Sequence, residues 1–240
     1  MNTLQTRFGS GQEVQRLEDD ALLAGRGQFT DDIEHAGQTR LCLVRSPHPH
    51  ARITSIDTAA AAAMPGVRLV LTGAELQAAG VKVMAKPIMH KRADGGRPAS
   101  PDRHLLAVER VRFVGECVVA VVADTEQQAR DAAEAVQVDY EPLPHAVTLA
   151  DALAPNAPLL SDAPDNKVAE SRHGDAAQAQ AAFARARHVV ELDITNQRVV
   201  ALSIEPRSVQ AHIDQGRLVV RMSSQMPTGI RTQICDLLGL

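Results

Sequence analysis

Cys117-Val118-Val119-Ala120-Val121-Val122-Ala123, followed at once by Asp124-Thr125-Glu126-Gln127-Gln128, is the stretch from which the fold can be read. The unbroken apolar run predicts a buried strand and is far too short to span a bilayer. Thr125 with Gln128 three residues later has the form of a capping box, in which two side chains satisfy the first free N–H groups of a helix. Behind it Ala129, Ala132, Ala133 and Val136 recur at helical spacing. Val136, Val138 and Tyr140 then alternate as a strand, until Pro142 and Pro144 end the element. The unit reads as strand, helix, strand.

Working toward the N-terminus, Leu41 to Arg45 predicts a strand, Ala59 to Ala63 a short helix closed by Pro65-Gly66, and Val67 to Leu71 another strand. Thr72 and Glu75 form a second capping box. Ala93 to Arg103, with Gly95, Gly96, Pro98 and Pro101, reads as a mobile surface loop. Gly25 to Pro144 is therefore expected to form one compact domain of helices and strands. Toward the C-terminus, Pro155, Pro158 and Pro164 suggest a linker strap, and Asp175 with Gln178 starts a helix. Val190, Leu192 and Ile194 alternate as a strand, and Ser208 to Ile213 and Leu218 to Met222 flank Asp214-Gln215-Gly216 as a hairpin. A last helix is expected from Pro227, with Ile230, Ile234, Leu237 and Leu238 on one stripe and Gly239 as its stop. The apolar faces of this β-rich tail find no cover in the sequence, so the second domain is expected to be incomplete.

The chain has 240 residues, 45% hydrophobic and 22% charged, with a formal net charge of −4. That length can bury a sizeable core in one or two domains. There is no basic stripe to neutralise phosphates, and aromatics are only 2% of the chain, too few for base stacking, so nucleic acid is not expected as a partner. Met1 to Ser10 lacks an apolar signal core, and with no membrane-spanning run the expected location is cytoplasmic. Cys42, Cys117 and Cys235 are widely spaced within apolar patterns, which predicts buried thiols, not a disulfide framework, a zinc site or an iron–sulfur site.

Single motifs carry little chemistry. Gly9-Ser10-Gly11 and Gly25-Arg26-Gly27 do not follow a strand and open a helix, as dinucleotide binding requires. His48-Pro49-His50 offers two imidazoles without a nearby third ligand, and a turn packed by Pro47 and Pro49 accounts for them. No serine sits in a nucleophile elbow, and no cysteine has an activating base nearby in sequence. Glu205-Pro206-Arg207 could supply an acid, but reads better as a structural pair or a clamp that orients the chain.

Several spaced stretches together are more specific. They begin with Leu23-Ala24-Gly25-Arg26-Gly27-Gln28-Phe29 and Asp31-Asp32-Ile33, then Arg45-Ser46-Pro47, His50-Ala51, Ile56-Asp57 and Pro65-Gly66-Val67. Val111-Arg112-Phe113-Val114-Gly115-Glu116, Val138-Asp139-Tyr140-Glu141-Pro142-Leu143-Pro144 and Glu205-Pro206-Arg207 follow. In this order they resemble the N-terminal part of the molybdopterin-binding large subunit of the xanthine dehydrogenase/aldehyde oxidase/carbon monoxide dehydrogenase family. The resemblance implies an α+β fold: an α/β-hammerhead domain over 15–144, a linker strap with a short helix over 145–187, and a truncated start of the molybdopterin-binding domain over 188–240.

The same resemblance implies a molybdenum hydroxylase that oxidises an aldehyde, an N-heterocycle or a similar substrate with oxygen from water. Its cofactor would be molybdopterin, with an iron–sulfur cluster and FAD on partner subunits. Gln225, in Ser223-Ser224-Gln225-Met226-Pro227, matches the glutamine that the family places beside the molybdenum oxo ligand. A neutral amide there can donate a hydrogen bond without adding charge to an anionic cofactor. The competing reading has Gln225 merely capping the helix that follows. The family's Gly-Gly-x-Phe-Gly-x-Lys stretch, its later pterin-binding loops and its catalytic glutamate do not occur in this sequence. No complete catalytic set is expected here, and no cofactor is expected on this chain alone. It would need a chain carrying the missing C-terminal part. The alternative is a non-catalytic remnant or interaction module that keeps the hammerhead fold.

Overall fold

A computed structural model describes residues 16–84, 91–92, 95–96, 99, 102–159 and 165–240. In chain order the elements are α1 (Asp19–Leu23), β1 (Arg40–Arg45), β2 (Ala51–Asp57), α2 (Ala59–Ala62), β3 (Val67–Thr72), α3 (Gly73–Ala78), β4 (Arg110–Val111) and β5 (Cys117–Ala123). They continue with α4 (Glu126–Glu134), β6 (Gln137–Pro142), α5 (Leu149–Leu153), α6 (Ala176–Arg185), β7 (Val209–Asp214), β8 (Arg217–Met222) and α7 (Pro227–Leu238). The chain divides into two compact units: Gly37–Thr195 with Met226–Leu240, and Met1–Ala36 with Asn196–Gln225.

In the larger unit the apolar run forms β5 as expected, and it is the middle strand of a sheet ordered β1-β5-β3. A second sheet is ordered β4-β2-β6, and every pairing in both sheets is antiparallel. The predicted strand–helix–strand unit is present as β5-α4-β6, but its two strands belong to different sheets. Strand β2 has no counterpart in the sequence reading. Its pairing with β6 shifts register between Ile53 and Ser55, and this irregularity hides the alternation that would mark it.

The two sheets and α4 share one core. Val118, Val119 and Val121 of β5, Val111 of β4, Ala51 of β2 and Ala132 of α4 are buried in it, with Ile53, Ile56, Val138 and Tyr140 packed against them. Each fully buried valine contributes about 1.5–3 kcal/mol relative to an exposed one. Small residues on α4 let its axis approach the sheet closely, so valine and alanine fill the interior of a chain with one tyrosine and no tryptophan.

The two capping boxes differ. At α3 the box is complete: Glu75 N–H donates to Thr72 Oγ1 at 3.3 Å, and Thr72 N–H donates to Glu75 Oε2 at 2.7 Å. At α4 only half is made. Gln128 N–H reaches Thr125 Oγ1 at 3.2 Å, but the Gln128 side chain turns to the Thr125 hydroxyl instead of its N–H. The bonds from the Thr72 N–H and hydroxyl hold the Glu75 carboxyl below its usual range. A depressed folded-state pKa stabilises above the unfolded value, and that contribution is lost as pH falls through the folded one. Thr72→Ala is therefore expected to destabilise by about 1 kcal/mol near neutral pH. The difference from the parent should shrink as pH drops below about 4, where Glu75 takes up its proton. Equal melting at both pH values for both proteins would rule out the box as a contributor.

Several expectations need correction. Val190 to Ile194 is not a strand: Val190, Leu192 and Ile194 are 91%, 76% and 78% exposed and pair with no other strand among the described residues. Alternation supplies a face, but a strand also needs an edge to bond. Of the loop expected over Ala93 to Arg103, Ala93, Asp94, Arg97, Pro98, Ser100 and Pro101 lie outside the described residues. The remainder is tied down. Ala99 is 9% exposed and its N–H donates to Val168 O, Arg92 pairs with Asp165, and Arg103 bridges to Met84.

The strap is more ordered than its prolines suggest, because Thr148 and Asp151 form a further capping box at α5 and Asn166 donates to the carbonyls of Ala152 and Pro158. The helix at Asp175 forms as expected, with Asp175 accepting from Gln178 N–H. The three cysteines are free but only half-buried, and Cys117 Sγ accepts from the Arg45 guanidinium at 3.2 Å. On α7, Ile230, Ile234 and Leu237 are half-buried, while Leu238 is exposed. Gly239 stops that helix at φ 71°, in the left-handed region.

The smaller unit carries α1, a 3₁₀ turn over Thr30–Asp32, and the β7-β8 hairpin. The hairpin turn is Gln215-Gly216, with φ 47° and 79°, the pair of positive angles that matches a tight hairpin to strand twist. Gly25, at φ 67°, closes α1: its N–H bonds Leu22 O and Arg26 N–H bonds Ala21 O.

Candidate functional site

The motif residues of the larger unit turn out to be joints. Ser46 N–H donates to Glu116 O at 2.9 Å, Gly115 N–H to Ser46 O at 2.8 Å, and Arg45 Nη1 to Gly115 O at 2.9 Å. Arg45-Ser46-Pro47 and Gly115-Glu116 therefore lock onto each other. His48 stacks on Tyr140 with ring centroids 5.0 Å apart, and burial pushes the Tyr140 phenol up, opposed by its bond to Ser46. His50 Nδ1 lies 2.7 Å from Pro144 O. Both histidines have structural roles, as the turn reading expects. Among the described residues no group of three His, Cys, Asp or Glu could hold a metal ion. No helix among them is long and apolar enough to cross a membrane.

In the smaller unit the motif stretch 29–35 docks on β7. Phe29 N–H donates to Asp32 Oδ2 at 2.8 Å, Ser208 Oγ reaches Asp31 at 3.2 Å, and the Gln210 amide donates to Ile33 O. His35 and His212 face each other with centroids 5.4 Å apart. These contacts cover the edge of a two-stranded ribbon that would otherwise be marginal in water. Of the two glycine pairs, Gly9-Ser10-Gly11 lies outside the described residues, and Gly25 serves as the helix stop.

The hairpin ladder ends at Val209 opposite Met222, and Ser223, Ser224 and Gln225 leave it without further pairing. Gln225 is exposed in a bend, and its amide makes no hydrogen bond with the described residues. The cap position of α7 is held by Met226, without a side-chain cap bond. A carboxylate stands beside the strand exit. Glu205 accepts from Ser223 Oγ, while Ser203 Oγ donates to Glu205 O at 2.8 Å. Glu205, Arg207, Met222 and Ser223 line an open cavity of about 410 Å³. Glu205 thus pairs with Ser223 and not with Arg207, which agrees with the clamp reading of Glu205-Pro206-Arg207. Sequence reading missed Ser223, whose only signal was its place two residues before Gln225.

Comparison with known proteins assigns the chain. Residues 24–144 match the a/b hammerhead domain of aldehyde oxidase and xanthine dehydrogenase, and residues 159–240 match the molybdopterin cofactor-binding domain. The chain belongs to the aldehyde oxidase and xanthine dehydrogenase family. It is 36% identical over 240 residues to the nicotine 6-hydroxylase large subunit of Paenarthrobacter nicotinovorans, covering 98% of this chain and 28% of that protein. It is also 36% identical over 247 residues to the carbon monoxide dehydrogenase large chain of Afipia carboxidovorans, covering 97% and 29%. Among solved structures, quinoline 2-oxidoreductase from Pseudomonas putida 86 superposes with a TM-score of 0.78 at 32% identity, over 95% of this chain and 28% of that one. The chain thus spans a little over a quarter of the length of these relatives.

Proposed function

We propose that this chain forms the N-terminal part of the large subunit of a molybdenum hydroxylase, which oxidises an aldehyde, an N-heterocycle or a similar substrate with oxygen from water. The observation that carries this reading is the match to the hammerhead and cofactor-binding domains, in that order, along one chain. Bound molybdopterin would supply the two-electron oxidation. From this chain, Gln225 would donate its amide hydrogen bond to the cofactor: it is a neutral donor, exposed, and not engaged by any described residue. The glycine-rich stretch and the catalytic glutamate would come from the remaining part of the subunit.

The same reading assigns the iron–sulfur cluster and FAD to partner subunits and the assembly to the cytoplasm. It also retains three segments, 15–144, 145–187 and 188–240, as the hammerhead, the strap and the start of the cofactor domain. The test is to purify the tagged chain from its own host under native conditions. The expected product is a complex with about one molybdenum and one pterin per copy of this chain, bound jointly with the rest of the large subunit. A stable complex without molybdenum would favour the interaction-module alternative. Stoichiometric molybdenum on residues 1–240 alone would show that the cofactor site had been misplaced.

A further inference from the structure

We infer that Glu205 is a positioning residue for Gln225, an inference that rests on the reading of Gln225 as a cofactor donor. The β7-β8 ladder ends at Met222, so the course of Ser223, Ser224 and Gln225 is not set by strand pairing. The Glu205 carboxylate accepts the Ser223 hydroxyl at the first residue beyond the ladder, two residues before the amide that must be aimed. A bond to an ionised acceptor is about twice as strong as one between neutral groups, which suits a single tie at a frayed strand end.

Glu205 is itself held on both sides. Ser203 Oγ bonds its carbonyl, and the ring of Pro206 fixes the backbone that follows. It is half-buried at the wall of the cavity beside Met222 and Ser223, where water competes less for the carboxylate than on an open surface. The carboxylate does not touch the reacting atoms in this scheme. It acts through Ser223 on the direction of the Gln225 side chain, and errors of about 1 Å in such placement can lower rates by up to about a hundredfold.

The test uses Glu205→Ala, Glu205→Gln, Ser223→Ala and Gln225→Ala, singly and with Glu205→Ala combined with Gln225→Ala, in the assembled enzyme. Glu205→Ala and Ser223→Ala are expected to lower kcat about tenfold with KM within about twofold, and Glu205→Gln, which keeps an acceptor oxygen, to recover most of the rate. Glu205→Ala should add little to Gln225→Ala, because the two changes remove one aimed contact. In the cofactor-free chain, amide exchange at residues 224–226 should quicken in Glu205→Ala while β5 stays protected. An unchanged rate for Gln225→Ala overturns the donor reading and this inference with it. A slowed Gln225→Ala beside an unaffected Glu205→Ala overturns this inference alone, as does a full additive loss in the double variant. Should Glu205→Ala fail to fold, Ser223→Ala and Glu205→Gln carry the same comparison.

Discussion

Gly73→Ala is expected to destabilise the larger unit by about 2–4 kcal/mol, although the same change at an ordinary helix position helps by up to about 1 kcal/mol. Gly73 opens α3 with an ordinary backbone angle, so the space around its Cα decides the outcome. A Cβ built there lies 2.5 Å from Ala107 O and 2.7 Å from Leu106 O, closer than real Cβ contacts allow. These are backbone atoms of buried residues, and Ala107 N–H is bonded to Cys117 O at 2.7 Å. The segment cannot yield without pulling on β5, the middle strand of its sheet. Gly229 of α7 is the natural control, because its Cβ would meet nothing nearer than the Met226 side chain at 3.7 Å. Chemical denaturation should separate the two, with Gly73→Ala shifted well down and Gly229→Ala level or slightly up. A neutral Gly73→Ala would mean that α3 does not rest on residues 106–107 as described.

Gln225→Ala should slow the assembled enzyme by about tenfold to a hundredfold while leaving the fold of this chain nearly untouched. Removing one hydrogen bond to a charged group forfeits about 1.5–3 kcal/mol, and the loss appears in rate if the bond is felt mainly in the transition state. Folding should be spared because the side chain is exposed and makes no hydrogen bond with the described residues. The measurement pairs steady-state kinetics of the complex with the melting of the isolated chain. If the isolated chain loses several kcal/mol, or the complex turns over at the parental rate, Gln225 is not a cofactor donor.

The parts of this molecule legible in sequence were those encoded by neighbours along the chain. Helix starts at Thr72, Thr125 and Asp175 could be read because the capping partners lie three residues apart. The hairpin was legible because its turn is local. Sheet membership was not, since nothing between residues 117 and 142 says that β5 and β6 go to separate sheets. That is decided by which distant strands share their register. The alternation at Val190 to Ile194 misled for the converse reason, as a good local pattern met no partner edge. At the candidate site, Gln225 came from family resemblance and not from its own chemistry. The Glu205–Ser223 contact escaped because it exists only once the hairpin folds back beside residue 205.

The pairing of both sheets bears on how the chain emerges from the ribosome. Arg40 faces Ala123, Thr72 faces Val119, and Asp57 faces Gln137, so none of the strands in either sheet can find its partner in a neighbouring hairpin. Chains dominated by such distant contacts fold over milliseconds to seconds, and synthesis at about 5–20 residues per second means that β1, β2 and β3 wait several seconds for β5 and β6. During that interval the edges of Leu41 to Val44 and Val67 to Leu71 are open to pairing with other chains. Nascent-chain crowding, more than the stability of the finished sheets, is then what sets the yield of folded protein.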